Sequence, residues 1–230
     1  MPPFATPSAA LSSDNAVRNM FEARKRVFVD LLKWDVPVLN DKYEIDQFDT
    51  PYASYLILTG DQGSHRASAR LLRTDRAHIL GELFPALCDN AVPTGAWTRE
   101  ITRFCIEPTL HRTDRRIARN QLVSALVQHA LTEGVTDYTA VANLAWYRQI
   151  ADFGWKCRTL GSARYIDGEC LLALHIEIDA DMSCISDGGA GGSRTAAFCR
   201  SPQSGDVSCN MIKGGWAALW QKYWRGHKCR

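Results

Sequence analysis

From residue 16 onward, apolar side chains recur at helical spacing: Val17, Met20, Phe21, Val27, Phe28 and Leu31 fall on one stripe. Asp14 or Asn15 can cap its start. Arg24 lies inside the stripe, between Phe21 and Phe28. An arginine on a buried face keeps its charge, so it needs carboxylates or a bound anion around it. The chain offers acids soon after Trp34 and Pro37, in Glu44-Ile45-Asp46-Gln47-Phe48-Asp49, where they are interleaved with apolar residues. The plainer alternative is a snorkelling arginine and a solvated acidic loop.

The period then falls to two. Tyr52 to Thr59 reads as a strand, Asp61-Gln62-Gly63 as a turn, and Ala67 to Leu72 as a returning strand that carries Arg70. Gly81 to Pro85 suggests a short helix or turn. Trp97 to Ile106 has the composition of a central strand, and Pro108 stops it. A basic loop, His111-Arg112-Thr113-Asp114-Arg115-Arg116, opens a helix from about Ile117 to Glu133, ended by Gly134. Then come a strand (Tyr138 to Ala142), a short helix (Leu144 to Phe153, ended by Gly154) and two strands (Trp155 to Leu160, Cys170 to Ile178). The order predicts an α/β fold, a three-layer α/β/α sandwich around one mixed, twisted sheet.

Composition adds boundaries. The chain has 230 residues, of which 46% are hydrophobic, enough for one domain with an appendage. Residues 1–13 read as a disordered leader and residues 14–180 as the domain. Residues 181–230 read as a Gly/Ser-rich linker followed by an aromatic stripe, Trp216, Trp220 and Trp224. That stripe suits a membrane-surface or partner helix, or an extension without an essential role. A net charge of +2 argues against bulk nucleic-acid binding, and no apolar run is long enough for a membrane span. The N-terminus lacks the pattern of a secretory signal. Eight cysteines without metal-ligand spacing, including Cys88, Cys105, Cys157 and Cys170 in apolar segments, fit free thiols in a reducing cytoplasm. No metal site is expected.

Charge within the apolar elements carries the candidate chemistry. Arg24, Arg70 and Arg103 stand with Asp46, Asp49 and Glu100, three cations and three anions able to neutralise one another in a shared cleft. Buried ion pairs give little net stability, because desolvation offsets attraction. So many in one small domain point to a polar ligand.

These residues resemble the acyl-homoserine-lactone synthase (autoinducer synthase) family. The resemblance rests on Phe21-Glu22-Ala23-Arg24-Lys25-Arg26-Val27-Phe28, Trp34-Asp35-Val36-Pro37, Glu44 to Asp49, Ser68-Ala69-Arg70-Leu71-Leu72 and Glu100-Ile101-Thr102-Arg103-Phe104, in order and with matching gaps over about residues 16–180. It implies a fold similar to the N-acetyltransferases. It also implies a reaction in which the amine of S-adenosylmethionine, a substrate and not a cofactor, takes an acyl group from acyl carrier protein or coenzyme A. The methionine carboxylate then closes on its own γ-carbon and expels methylthioadenosine, leaving a quorum-sensing lactone. By resemblance, Arg24, Phe28, Trp34, Asp46, Asp49, Arg70, Glu100 and Arg103 belong to the active site.

The residue types suit that chemistry. Phe28 and Trp34 can hold the sulfonium and adenine. Asp46 and Asp49 can receive the ammonium or orient Arg24 and Arg103, and a free arginine can fork onto the carboxylate. Glu100 is the candidate base for the amine. In a regular strand, however, Glu100 and Thr102 face one side and Arg103 the other, so a bulge or splay is required for all three to meet. Thr102, Phe104 and Trp146, with Leu122, Leu126 and Trp155, are candidates to line the substrate site and an apolar acyl slot. Relatives accepting 3-oxo chains often carry a threonine where Ala142 stands, which implies chains without that oxygen. Arg112, Arg115, Arg116 and Arg119 suit an acidic carrier protein or a coenzyme A pyrophosphate. The alternatives are a generic N-acyltransferase, disfavoured because Arg115 to Arg119 has no glycine for a pyrophosphate loop, and a non-catalytic small-molecule-binding protein on the same fold.

Overall fold

The apolar stripe of the first helix is real but changes pitch. In a computed structural model describing residues 7–179 and 208–213, α1 spans Pro7–Arg24 and continues as a π-helical turn, Lys25–Leu31. The helix thus begins at Pro7, inside the stretch read as a disordered leader, and Asp14 and Asn15 are interior to it. Val17, Met20, Phe21 and Phe28 are buried, each contributing about 1.5–3 kcal/mol by leaving water. Leu31 is 59% exposed, because the wider π turn rotates the end of the stripe out of register.

A two-stranded ribbon follows, β1 (Val38–Leu39) with β2 (Tyr43–Glu44). The main sheet contains β3 (Ser54–Thr59), β4 (His65–Arg73), β5 (Thr98–Ile106), β6 (Asp137–Asn143), β7 (Lys156–Thr159), β8 (Arg164–Ile166), β9 (Glu169–Glu177) and β10 (Ser208–Lys213). Its order is β10-β3-β4-β5-β6-β9-β7, with β8 also on β9. Every pairing is antiparallel except β5 with β6. The helices are α2 (Ile79–Glu82), α3 (Arg112–Glu133) and α4 (Leu144–Asp152).

Side-chain alternation assigns the layers. Leu56 and Leu58 of β3 pack with Ala118, Leu122 and Leu126 of α3 and Ile150 of α4, whereas Tyr55 and Ile57 pack with Val17, Met20 and Phe21 of α1. The mixed α/β/α sandwich is therefore the observed fold. α3 begins at Arg112, not Ile117, so the segment read as a basic loop is the helix's own first turn. Gly134 ends it in the left-handed conformation, φ 68°.

Two irregularities shape the sheet near its centre. β5 pairs with β6 only over Thr98–Glu100 and Asp137–Thr139, yet β5 runs on to Ile106 and β6 to Asn143. The strands therefore diverge into a cleft beyond Glu100. Opposite, Ser68 pairs with Cys105 and Arg70 with Thr102, so two residues of β5, Arg103 and Phe104, face the single Ala69 of β4. That is a β-bulge, and Arg103 sits in it at φ 48°.

The stretch read as a linker and the Trp216–Trp224 stripe lie outside the described residues, save for β10. β10 pairs with β3 on the edge remote from the cleft. Ending the chain after Ile185 removes β10 but leaves both faces of β3 covered. We expect the truncated protein to keep its fold and activity, with more self-association through the freed edge, as read by circular dichroism, turnover and size-exclusion chromatography. Loss of activity in monodisperse truncated protein would show that the tail serves the site. Among the described residues, no helix is long and apolar enough to cross a membrane.

Candidate active site

Arg24 is delivered by the last turn of α1 and is 1% exposed. Its Nη1 and Nη2 donate to the two oxygens of Asp49, each at 2.8 Å, and its Nε donates to Glu44. Arg70, on β4, forks onto Asp46 at 2.6 and 3.0 Å, lies 2.8 Å from Asp49, and donates Nε to Thr102 Oγ1 at 2.9 Å. Arg103 reaches Glu44 through Nε and Nη2, at 3.1 and 3.0 Å, and Asp46 through Nη2 at 2.6 Å. Three arginines and three carboxylates thus form one closed, neutral network between α1, the segment from β2 to Asp49, and the sheet.

The bulge explains how Arg103 joins it. Without the extra residue, the side chain would project with Ile101 toward α3; with it, Arg103 shares the α1 face with Thr102 and Arg70. A left-handed arginine costs roughly 1–2 kcal/mol. The network therefore holds a strained backbone as well as buried charge.

The carboxylates differ in role. Asp49 accepts from Arg24, lies within ion-pair distance of Arg70, and also accepts from the Asp46 backbone N–H at 2.9 Å and the Tyr55 hydroxyl at 2.8 Å. Burial alone would raise its pKa, but the Arg24 and Arg70 charges outweigh that and hold it well below the usual carboxylate range. Asp49 is an anchor. Asp46 is held down in the same way, burial being overcome chiefly by Arg70, and it faces the rim where Arg103 lies.

Phe28 and Trp34 close that rim. Their rings stack with centroids 4.8 Å apart, and the Arg103 guanidinium lies 5.5 Å from the Phe28 centroid and 5.8 Å from that of Trp34. Two aromatic faces already hold a cation here. Arg26, in the π turn, donates to Glu107 beyond β5 at 2.6 Å and so ties the turn carrying Phe28 to the sheet.

Two expectations need revision. Glu100 shares the sheet face with Thr102 but is not in the ion network. Its oxygens instead accept from the backbone N–H groups of Ile79 and Leu80, at 2.7 and 2.8 Å, the unpaired donors that open α2. Burial drives its pKa up to about 7, only partly offset by those N–H bonds. Glu44 takes the place expected of Glu100 in the network. It is fully buried, and its spacing of two from Asp46 in an extended segment is the signal that would have found it. Phe104 and Trp146 lie on the opposite, α3 side, edge to face at 4.5 Å, partly buried where β5 and β6 part; Leu122, Leu126 and Trp155 are core beneath them. Among the described residues, no group of three or more potential ligands could hold a metal.

The family model described as autoinducer synthase matches residues 8–184. This chain belongs to that family. An acyl-homoserine-lactone synthase of Rhizobium etli is 32% identical over 164 residues, covering 69% of this chain and 76% of that one. Another, from Ralstonia nicotianae, is 29% identical over 166 residues, covering 68% and 79%. Among solved structures, TofI in a ternary complex with an inhibitor and MTA is 27% identical with a TM-score of 0.61, covering 77% of this chain and 89% of that one. The structure of BjaI, a CoA-dependent acyl-homoserine lactone synthase, with SAM and isopentyl-CoA shares the fold at 21% identity and a TM-score of 0.67, covering 74% and 79%. As an autoinducer synthase, the chain places its network of six charged side chains on the sheet face beside the diverging strands, with the aromatic pair at the rim.

Proposed function

We propose that the protein makes an N-acyl-L-homoserine lactone from S-adenosylmethionine and an acyl thioester. The observation that carries this is the closed ion network flanked by Phe28 and Trp34. Its charges are matched to one another. The zwitterionic amino-acid end of the substrate, one ammonium and one carboxylate, can exchange partners with them at no net charge, leaving the single positive charge of the sulfonium to the aromatic faces. The ammonium meets Asp46, the rim carboxylate, while Asp49 remains bonded to Arg24 and Arg70. The sulfonium and adenine take the aromatic faces beside Arg103. Arg103 uses only Nε and Nη2 in the network, which leaves Nη1 for the substrate carboxylate.

The acyl chain enters between β5 and β6 and rests against Phe104 and Trp146. Ala142, partly buried against the same cluster, offers a methyl group and no hydroxyl, which suits chains without a 3-oxo group. Arg112, Arg115 and Arg116 are exposed on the first turn of α3, where the helix dipole adds to their charge. They suit the phosphates of coenzyme A or the acidic face of a carrier protein. Arg119 is committed elsewhere, to Asn120 and Gln149.

Of the four carboxylates, three are clamped by arginines, so Glu100 is the one poised to take a proton at neutral pH. Acylating an ammonium releases two protons. One ends on the thiol that leaves, and the other passes through Glu100 to solvent.

The test is incubation with S-adenosylmethionine and matched acyl-coenzyme A and acyl carrier protein series. Product is read by mass spectrometry, together with methylthioadenosine release. We expect stoichiometric methylthioadenosine and lactone with one donor class. Transfer to other amines without methylthioadenosine would make the protein a generic acyltransferase, and saturable binding without product would make it a sensor.

A further inference from the structure

The proton that Glu100 takes has no evident way out. Glu100 is wholly buried, its two oxygens are occupied on one side by the opening N–H groups of α2, and the ion network beside it is closed. Each oxygen nevertheless has a second lone pair, and the sheet continues past Glu100 in a row of polar side chains.

In register, Glu100 of β5 pairs with Thr139 of β6, and Thr139 pairs with His175 of β9. Register partners project to one face of a sheet, so these three side chains stand side by side beneath α2. Thr139 is fully buried and His175 is 8% exposed. His175 Nε2 lies 3.1 Å from a carboxylate oxygen of Asp137, whose side chain is 27% exposed and opens to solvent. Two atoms in this row, Thr139 Oγ1 and His175 Nδ1, are buried and have no hydrogen-bond partner within the protein.

Buried polar atoms left unpaired are costly and are normally satisfied by ordered water. Thr139 stands between Glu100 and His175 in this row, as the register partner of both. One water bonded to the Thr139 hydroxyl, His175 Nδ1 and a second lone pair of Glu100 would satisfy both unpaired atoms.

We propose that Thr139 and His175 hold a water against the Glu100 carboxylate and, with Asp137, form the path by which the amine's proton leaves the buried site. This rests on the synthase reading, and it adds positioning residues that act through Glu100. The steps balance. Glu100 takes the proton from the substrate nitrogen. The water accepts it from Glu100 as it gives one of its own to His175 Nδ1, and the imidazolium beside Asp137 releases a proton to solvent. Other titratable groups facing this row are Arg158, the cross-strand partner of His175 on β7, His78 at the entry to α2, and Arg70 and Arg103 beyond Glu100. The two network arginines are neutralised by their own acids. Glu100's position at about 7 is consistent with a carboxyl that exchanges its proton through such a path.

Two variants on different strands test it. Thr139→Val removes the hydroxyl at constant shape, and His175→Gln removes the relay nitrogen. We expect each to slow acylation by about tenfold and to move the acid limb of its pH profile upward by about one unit, because the Glu100 carboxylate loses a hydrogen bond. Closure of pre-formed acyl-S-adenosylmethionine should be unchanged, and Thr139→Ser should restore both values. An infrared pH titration of the protonated carboxyl band, assigned by its loss in Glu100→Gln, reads the same shift without any turnover. If that midpoint and the acylation profile stay at wild-type values in both variants, the relay is wrong. If Glu100→Gln itself keeps a wild-type acylation profile, the fault lies with Glu100 as base.

Discussion

Arg24→Ala should abolish lactone formation and lower the stability of the fold by about 3–5 kcal/mol, since it strands the buried carboxylates of Glu44 and Asp49 without their shared cation. For a domain of this size, that corresponds to a fall in melting temperature of roughly 6–20 °C. Arg103→Ala should be equally inactive but lose less stability, because its side chain is 9% exposed and water can reach its partners. The bulge supplies an internal control. At φ 48°, alanine keeps the left-handed strain and glycine relieves it, so Arg103→Gly should melt above Arg103→Ala, by about 1 kcal/mol, with neither active. Thermal melts paired with methylthioadenosine release check all three variants. Wild-type melting and turnover in Arg24→Ala would dispose of the buried-network account, and glycine and alanine melting together at residue 103 would dispose of the strain.

The pH dependence of this network has a definite sign. Asp46 and Asp49 have folded pKa values below their unfolded ones, so the stability they confer is present above about pH 4 and is lost as the pH falls through the folded values. Acid unfolding below pH 4 should therefore start here, and the loss of near-ultraviolet dichroism from the Phe28–Trp34 pair should accompany it.

How much of this was legible in the chain follows from which forces are local. The helical stripe of α1, the alternation along β3 to β5 and the glycine stop at Gly134 are written in periodicity and backbone preference, and they gave the sandwich. Arg24 was legible for the same reason, as a charge in an apolar stripe. The π turn was not, because one inserted residue per turn leaves no compositional mark, and it is what turns Leu31 out to solvent. The hairpin of β8 and β9 is also marked locally. Asp167-Gly168 is a strong two-residue turn signal, and both residues have positive φ, 49° and 85°. The bulge at Arg103 was required by logic, since Arg103 and Glu100 belong to one site, but no glycine marks it. Glu44 was missed and Glu100 misplaced in the network for one reason: which acid meets which arginine is settled by the path of the Val38–Glu44 ribbon and by the docking of α2, both tertiary.

That docking sets the terms for the second large effect. Glu100→Gln should reduce acylation by on the order of 10²–10⁴, because the amide cannot take the proton. Lactonisation begins from a carboxylate already ionised and a sulfonium already a good leaving group, so only the first step needs a base near neutral pH. Raising the pH should recover part of the lost rate as amine deprotonates in solution, and pre-formed acyl-S-adenosylmethionine should bypass the defect. Structure adds a second signature. The glutamine oxygen can accept only one of the Ile79 and Leu80 N–H groups, and its NH₂ meets the other donor, a loss of about 1–3 kcal/mol. In the wild type, folded Glu100 holds its proton to about pH 7 against 4.5 for a free glutamate, so its contribution to stability is full below pH 4.5 and declines as pH rises through 7. The stability gap between wild type and Glu100→Gln should therefore be widest at pH 4.5 and below and narrow as the pH rises through 7. A gap that is flat with pH would mean that Glu100 is an ordinary ionised cap. If the variant closes pre-formed acyl-S-adenosylmethionine as slowly as it makes lactone from separate substrates, the carboxyl serves α2 or the second step and is not the acylation base.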